Sequence, residues 1–289
     1  MKRFTSRLQQ DLPFLASIPA VIWQCLFMLA PVAIILYFSV AIPGMPFRFT
    51  VSHYLEVADY SSFKTIARSL FLSIMTAVSC LICAYPIAYY LALQATRFKK
   101  ILLFLLTLPF WVNYLVKIYA WYFLLEYHGL INLFLIKLGI IREPLLLASS
   151  LIGVYIVMVY CYLPFMIMPL YNVLEKIDKR LLDASADLGA NPWQTFLRVT
   201  LPLSMPGIRT GFLLVMIPAF GEFVIPALLG GSKYMMVGSL ISYYFLVARD
   251  RAEGSAFTNL SWIALIVLFA MYYAVQKLWR MHTKRRMPV

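Results

Sequence analysis

The sequence predicts an all-α integral membrane protein with six transmembrane helices and a cytoplasmic helix-turn-helix loop. Apolar residues make up 63% of the 289 residues, charged residues make up only 13%, and the mean hydropathy is +0.82. Soluble domains are about 45–50% apolar and about 25% charged, so we expect the excess apolar surface to face lipid. We therefore predict one transmembrane domain over residues 1–289 and no soluble domain.

Six segments are long and apolar enough to cross a bilayer, which takes about 20 residues. They are residues 18–42, 69–93, 101–125, 147–171, 205–229 and 260–279. The first follows a short basic N-terminus and resembles a signal peptide. Because the apolar part of a signal peptide has only about 7–15 residues, we interpret this longer run as an uncleaved first span.

The Lys and Arg residues orient these spans. If the N-terminus is cytoplasmic, the inner segments carry twice as many Lys and Arg residues as the outer segments. Membrane proteins keep such residues in cytoplasmic loops, so both termini are predicted to be cytoplasmic. The same bias accounts for the net charge of +13, and we predict membrane lipid, not nucleic acid, as the partner of this charge.

The cysteines and histidines form no pattern of a metal or redox site. The four cysteines fall inside apolar segments and the three histidines are scattered, which is typical of thiols packed as small apolar groups. The sequence also has no nucleophile–base arrangement and no Gly-rich phosphate-binding loop. We predict that this chain binds no metal or cofactor and is not an enzyme.

A polar segment, residues 172–204, separates the fourth and fifth spans, and we call it the polar hairpin. Its first part has apolar residues at helical spacing, which predicts an amphipathic helix. These residues are Leu174, Ile177, Leu181, Leu182 and Leu188. Gly189 can adopt the left-handed conformation that ends a helix, while Asn191 and Pro192 are favoured where a helix starts. The pattern alone fits either a surface on which a partner docks or an interfacial hairpin without a partner.

Glu222 lies well inside the fifth span, and Lys117 lies at a similar depth in the third. An ionisable group inside a membrane is costly unless it has a partner, so it indicates a functional site. Two interpretations stay open: an ion pair between Lys117 and Glu222, or a carboxylate that faces a pathway and receives a cation. Pro218, Gly221 and Pro226 predict a broken helix around Glu222.

Aromatic side chains crowd the same region, and we assign five of them to a substrate pathway with Glu222. They are Trp111, Tyr114, Tyr119, Phe220 and Phe223. Packing or an interfacial belt accounts for most aromatic residues of membrane proteins. Trp111 differs because it follows Pro109 in the middle of a span, whereas residues of an interfacial belt lie at the membrane surface. Aromatic faces beside a carboxylate suit an elongated organic cation.

The polar hairpin resembles the EAA loop of permease subunits in binding-protein-dependent ABC importers. That pattern is E-A-A, three residues, G, nine residues, and I-x-L-P. The matching residues are Asp183, Ala184, Ser185, Gly189, Val199, Leu201 and Pro202. Asp183 replaces Glu and Ser185 replaces Ala, and both changes are small. The resemblance implies that an ATPase grips the membrane subunit at this hairpin.

Longer strings resemble the putrescine/spermidine branch of these permeases. They include residues 108–111, 118–121, 163–171, 182–190 and 220–226. The resemblance implies the type I ABC importer permease architecture and a bacterial inner-membrane location. It also implies three partners: a second permease subunit, an ATPase dimer that uses ATP and Mg on the cytoplasmic face, and an extracytoplasmic polyamine-binding protein.

We therefore predict a permease subunit for ATP-driven import of polyamines such as putrescine or spermidine. One alternative is an ABC importer permease for another small solute. The other is a stand-alone transporter driven by a gradient, with Glu222 as its ion site.

Overall fold

A computed structural model describes residues 2–42, 48–94, 97–231 and 234–285. Over these residues the chain forms helices and no strand beyond one isolated bridge, so the all-α prediction is confirmed. The α-helices are α1 (Lys2–Val40), α2 (Ser52–Val57), α3 (Tyr60–Tyr89), α4 (Lys99–Trp111), α5 (Tyr114–Leu125), α6 (Leu130–Lys137), α7 (Leu151–Leu174), α8 (Lys179–Asp187), α9 (Pro192–Thr195), α10 (Leu201–Phe220), α11 (Val237–Ser242) and α12 (Arg251–Arg285). Turns of π-helix lie at Tyr90–Gln94, Phe196–Thr200, Pro226–Gly230 and Tyr243–Ala248, and a turn of 3-10 helix lies at Leu147–Ser149.

Five helical stretches in the described part are long and apolar enough to cross a membrane. They are Ile18–Val40, Tyr60–Gln94, Leu151–Leu174, Pro192–Phe220 and Arg251–Met271. A sixth candidate is a pair of stretches, Lys99–Trp111 and Tyr114–Lys137, bent by 93° at the break between them. Six spans are present only if this bent pair counts as one.

The predicted third span, residues 101–125, is not one helix. Between α4 and α5, Val112 is extended with a ψ angle of 134°, and Asn113 caps α5 by accepting the Leu115 N–H at 2.9 Å. Pro109 lies one turn earlier, and a proline removes one bond of the helical ladder. A polar cap shortly after a proline favours a break here although every neighbouring residue is apolar.

The fifth span also differs from the predicted residues 205–229, because the helical stretch is Pro192–Phe220. Its start lies in the polar hairpin, so the second hairpin helix and the span are continuous. A π-helical turn makes this continuity feasible: the Leu201 N–H bonds to the Phe196 carbonyl, five residues back. Pro202 has no N–H to place in the ladder, and the wider turn accommodates it.

The predicted first helix of the polar hairpin is divided in two. The span helix α7 continues through Leu174, and α8 starts afresh at Lys179. The division lies at Asp178, whose side chain accepts the Arg180 N–H at 3.0 Å and so caps α8. Leu174 and Ile177 therefore do not share a helix face with the apolar residues of α8.

The chain forms two compact units, residues 1–63 with 243–289, and residues 64–242. In the first unit, Tyr54 connects three helices: its hydroxyl donates to Ser39 Oγ at 2.9 Å and accepts from Asn259 Nδ2 at 3.1 Å. The single transmembrane domain over residues 1–289 stays a prediction.

In the second unit, two glycines let α10 pack closely on α7. A Cβ atom at Gly207 would lie 2.9 Å from the Pro169 carbonyl oxygen, and one at Gly211 would lie 2.6 Å from Met166 Sδ. Small residues four apart are the usual means by which membrane helices approach this closely. The close packing places the end of α10, and with it Glu222, beside α7.

Candidate functional site

Glu222 lies at a break in the helix, directly after α10. α10 ends at Phe220 and Gly221 follows it with non-helical torsion angles, as the sequence pattern around Glu222 predicts. The Glu222 Oε1 atom accepts the backbone N–H groups of Phe223 and Val224 at 3.0 and 2.9 Å, and that of Ile225 at 3.4 Å. These N–H groups open the next helical segment, so the carboxylate caps it and lies at the positive end of its dipole.

The second carboxylate oxygen of Glu222 is held by two tyrosines. The Tyr114 hydroxyl donates to Oε2 at 2.5 Å and the Tyr162 hydroxyl donates to it at 2.6 Å. Tyr114 starts α5 and Tyr162 lies in the middle of α7, so one carboxylate joins three elements. Hydrogen bonds to an ionised acceptor are short and about twice as strong as neutral ones. Glu222 is only 6% exposed, and these five donors replace the water that it lacks.

The ion pair between Lys117 and Glu222, one of the two interpretations that the sequence left open, is not formed. The Lys117 Nζ atom donates instead to the Pro109 carbonyl at 3.0 Å and lies 5.6 Å from the centre of the Tyr114 ring. Neither side chain of the predicted pair takes part in an ion pair within the described part of the chain. The Pro109 carbonyl belongs to the last turn of α4, where carbonyls lack helical partners and attract a cation. Lys117 therefore links α5 to the end of α4.

The other aromatic residues assigned to the pathway lie in different surroundings. Phe220 is buried, whereas Tyr119 and Phe223 are exposed. Trp111 is 78% exposed and makes a T-shaped ring contact with Phe104 on its own helix. The structure thus brings Tyr114 to Glu222 through its side chain and Phe223 through its backbone. It shows no such contact for Trp111 or Tyr119.

Two further residues shape this site, and the sequence does not predict their role. Tyr162 is one of several tyrosines in the predicted fourth span, and nothing in its spacing distinguishes it. Gly238, at the start of α11, lies against the helix break: a Cβ atom there would be 2.2 Å from the Gly221 carbonyl oxygen. The preceding N–H, of Val237, donates to the buried Ser69 Oγ at 2.8 Å and fixes α11 in this position.

The polar hairpin forms a second candidate site. Gly189 adopts a φ of +79° after α8, and Asn191 and Gln194 form a capping box that starts α9. Leu188 and Trp193, on either side of this turn, are 89% and 66% exposed. Exposed large apolar side chains at the tip of a polar hairpin are available to a partner protein or to the membrane interface.

The remaining motif residues of the polar hairpin divide between its surface and its interior. Asp183, Ala184 and Pro202 are exposed, whereas Val199 and Leu201 are half-buried. Ser185, which stands where the motif has alanine, forms a hydrogen bond between its hydroxyl and the Thr195 hydroxyl at 2.9 Å. This bond joins the two arms. This bond gives a structural reason for serine at this position.

A charged contact involves Glu175, at the start of the polar hairpin. The Lys99 Nζ atom, at the start of α4, lies 2.9 Å from Glu175 Oε1, and the Tyr171 hydroxyl donates to the same oxygen at 2.7 Å. The bond from Lys99, followed by that from Tyr171, lowers the pKa of the Glu175 carboxyl below its usual value. The contact joins the start of the bent pair of helices to the end of α7.

Known proteins show a consistent similarity to this chain. The family described as "Binding-protein-dependent transport system inner membrane component" matches residues 84–281. The spermidine/putrescine transport system permease protein PotB of Salmonella typhimurium (strain SL1344) is 40% identical over 230 residues, 80% of this chain and 80% of the relative. PotB of Haemophilus influenzae is 40% identical over 232 residues, 80% of this chain and 81% of the relative.

A solved structure shares the fold. A chain of a bacterial alginate ABC transporter, crystallised with an alginate pentasaccharide-bound periplasmic protein, superimposes with a TM-score of 0.71. The match covers 93% of this chain and 96% of that chain at 17% sequence identity. The predicted ABC importer permease fold is therefore confirmed.

The family match covers more than half of the chain, and the relatives exceed 30% identity over four-fifths of it. The predicted multi-pass location in the inner membrane and the role in transport agree with this family. The chain belongs to the inner membrane components of binding-protein-dependent transport systems, as a permease subunit.

Proposed function

We propose that this permease subunit imports polyamines of the spermidine/putrescine class. The observation that carries this proposal is the 40% identity to spermidine/putrescine permeases over four-fifths of the chain. A buried carboxylate beside tyrosines supports a cationic solute, because a carboxylate and aromatic rings both attract an ammonium group.

We propose that energy enters through an ATPase dimer that binds the polar hairpin and consumes ATP and Mg. The exposed Leu188 and Trp193 would lie in a groove of the ATPase, and Gly189 sets the angle between the two arms. With both termini in the cytoplasm, as the distribution of Lys and Arg favours, this hairpin is on the same side as ATP.

We also propose a second permease subunit, which completes the pathway, and a polyamine-binding protein on the outer face. The name of the family and the periplasmic protein bound to the alginate transporter support a binding protein of this kind.

For the passage of the substrate we propose that Glu222 receives an ammonium group of the polyamine. In this structure five donors occupy the carboxylate and it is almost fully buried. The two tyrosine hydroxyls are neutral, so an ammonium group can replace them at Oε2 while the backbone N–H groups remain on Oε1. Tyr114 lies at the start of α5, next to the break at Val112 and Asn113. Movement of α5 at this break would withdraw the Tyr114 hydroxyl and open the carboxylate.

The test uses the full complex of both permeases, the ATPase and the binding protein, reconstituted in liposomes. Uptake of radiolabelled spermidine and putrescine should require ATP on the side of the polar hairpin. Glu222→Gln should lower uptake by about 10–150-fold, because a charged hydrogen bond contributes about 1.5–3 kcal/mol. The control is Glu143→Gln, an exposed carboxyl residue in the loop between α6 and α7. Uptake that Glu222→Gln leaves unchanged would show that Glu222 does not bind substrate.

The docking surface has its own matched pair of variants. Gly189→Asp should abolish co-purification with the ATPase but leave membrane insertion intact. Gly139 has a φ of +72°, near the +79° of Gly189, and a Cβ atom added at either glycine would meet nothing within 4 Å. Gly139→Asp therefore imposes the same backbone strain outside the hairpin and should leave ATPase binding unchanged. ATP-independent uptake by the chain alone would instead support the stand-alone transporter.

A further inference from the structure

The ring of Phe196 lies among three other aromatic rings at the base of the polar hairpin. It packs edge-on against Tyr85 at 5.5 Å and Tyr89 at 6.4 Å, both of which belong to α3. It also stacks on Trp193 at 5.4 Å between ring centres. Phe196 therefore lies between the exposed tip of the hairpin and a membrane-spanning helix that is distant in sequence.

Tyr85 makes a second contact with the stretch Pro192–Phe220. Its hydroxyl lies 2.9 Å from the hydroxyl of the buried Ser204, eight residues after Phe196. One side chain of α3 thus contacts both the hairpin and the first turn of α10. Because the stretch Pro192–Phe220 is continuous, these two contacts hold α3 to one helical element at two positions.

Both helices are irregular where they meet. On α3, Pro86 directly follows Tyr85 and removes one bond of the helical ladder, and a π-helical turn occupies Tyr90–Gln94. On the other element, the π-helical turn Phe196–Thr200 begins at the contact itself. Prolines and π-helical turns are the common positions at which helices bend. A sideways force applied through Phe196 therefore acts on α3 at the level where it bends most easily.

The first arm of the hairpin, α8, is joined by a hydrogen bond to the residue before Phe196. The Ser185 hydroxyl on α8 bonds the Thr195 hydroxyl at 2.9 Å, and Thr195 directly precedes Phe196. The capping box of Asn191 and Gln194 fixes the turn between the two arms. A displacement of α8 therefore moves Phe196 as well, because these hydrogen bonds hold the turn between the two arms in one conformation.

We infer that Phe196 and Tyr85 are positioning residues that transmit movement of the polar hairpin to α3. This inference rests on the proposed function, because it requires an ATPase that moves the hairpin. It adds a second route to the direct connection between hairpin and α10, and it predicts that two spans bend together when the hairpin moves.

The test measures coupling in the reconstituted complex, as spermidine transported per ATP hydrolysed. Phe196→Leu keeps apolar bulk but removes both edge-on ring contacts with α3, together with the stacking on Trp193. We expect the ATPase to remain bound and active, and the transport ratio to fall about tenfold. Phe196→Tyr keeps the ring and should restore most of the ratio. Phe123→Leu, which alters an exposed ring, is the matched control and should leave the ratio unchanged.

Tyr85→Phe supplies a second, milder variant that keeps the ring and removes only the bond to Ser204. We expect a fall of about threefold in the ratio, the scale of one hydrogen bond between membrane helices. The melting temperature of each variant is measured in parallel, since a merely structural role would lower stability and leave the ratio unaffected.

The outcomes separate the two proposals. If the wild-type complex shows no ATP-dependent uptake, the proposed function fails. If it transports normally and Phe196→Leu keeps the wild-type ratio, the proposed transmission is wrong. If Phe196→Leu does not assemble, Tyr85→Phe decides, and an unchanged ratio in that variant overturns the inference.

Discussion

Alanine at Gly238 should displace the helix break that carries Glu222. The added Cβ atom would lie 2.2 Å from the Gly221 carbonyl oxygen and 2.9 Å from that of Glu222. An ordinary contact starts at 3.4 Å, so one backbone must shift by roughly 1.2 Å, the difference between 3.4 and 2.2 Å. Neither contact can relax by rotation of a side chain, because both atoms belong to the backbone. Overpacking of this kind destabilises by about 1–3 kcal/mol.

The assay is thermal denaturation of the purified chain in detergent, together with spermidine uptake by the reconstituted complex. For a chain of this size each kcal/mol corresponds to about 2–4 °C, so the melting temperature should fall by several degrees. Spermidine uptake should fall by more than the loss of folded protein explains, because the backbone shift separates the Glu222 carboxylate from its tyrosine donors.

The control lies on the other side of the same contact. A Cβ atom at Gly221 would meet nothing closer than 3.9 Å, and the φ angle of Gly221 is −86°. Gly221→Ala should therefore be neutral, or stabilising by about 0.4–1 kcal/mol. If Gly238→Ala melted at the same temperature as Gly221→Ala, the reasoning that the break is set by close backbone packing would be refuted.

Two further predictions concern the packing of α7 and its charged end. Gly207→Ala should lower the melting temperature by several degrees, because the new methyl group meets the Pro169 carbonyl. Gly230→Ala is the control, because its added methyl group would have contacts of 3.4 Å or more and should leave the melting temperature unchanged. Equal melting temperatures for the two variants would contradict the close approach of α10 to α7. The folded-state pKa of Glu175 is lowered, so its bond to Lys99 stabilises the protein above the unfolded carboxyl pKa of about 4.3, and this contribution is lost as the pH falls below that value. Glu175→Gln should remove this part of the acid sensitivity in melting curves between about pH 3 and pH 6, and identical pH profiles for the two proteins would disprove the assignment.

In the polar hairpin, the local sequence was sufficient to predict the turn but not the second arm. Gly189 and Asn191 act through their own backbone and their nearest neighbours, so the turn and the cap follow from residue type. The continuity of the second arm with α10 did not follow, because Pro202 normally ends or kinks a helix. Only the surrounding packing makes a π-helical turn the favourable alternative.

The prediction of one continuous helix in the third span was wrong for the opposite reason. Its composition is almost entirely apolar, and length and hydropathy favour one continuous helix. The break at Val112 and Asn113 depends on one amide that caps α5 and on Lys117, which holds the last turn of α4. Hydropathy averaged over about 20 residues does not resolve contacts of single side chains.

Composition and short-range pattern were sufficient for the all-α class, the membrane environment, the polar hairpin and the position of one carboxylate at a break marked by proline and glycine. These properties depend on the average character of the chain and on interactions between residues close in sequence. What Glu222 binds depends instead on how the helices pack. Its donors Tyr114 and Tyr162 lie 108 and 60 residues away, and Lys117, at a similar depth, bonds a carbonyl instead. Depth in a span limits which groups are able to meet, but the rotation and tilt of packed helices select the pairs that do.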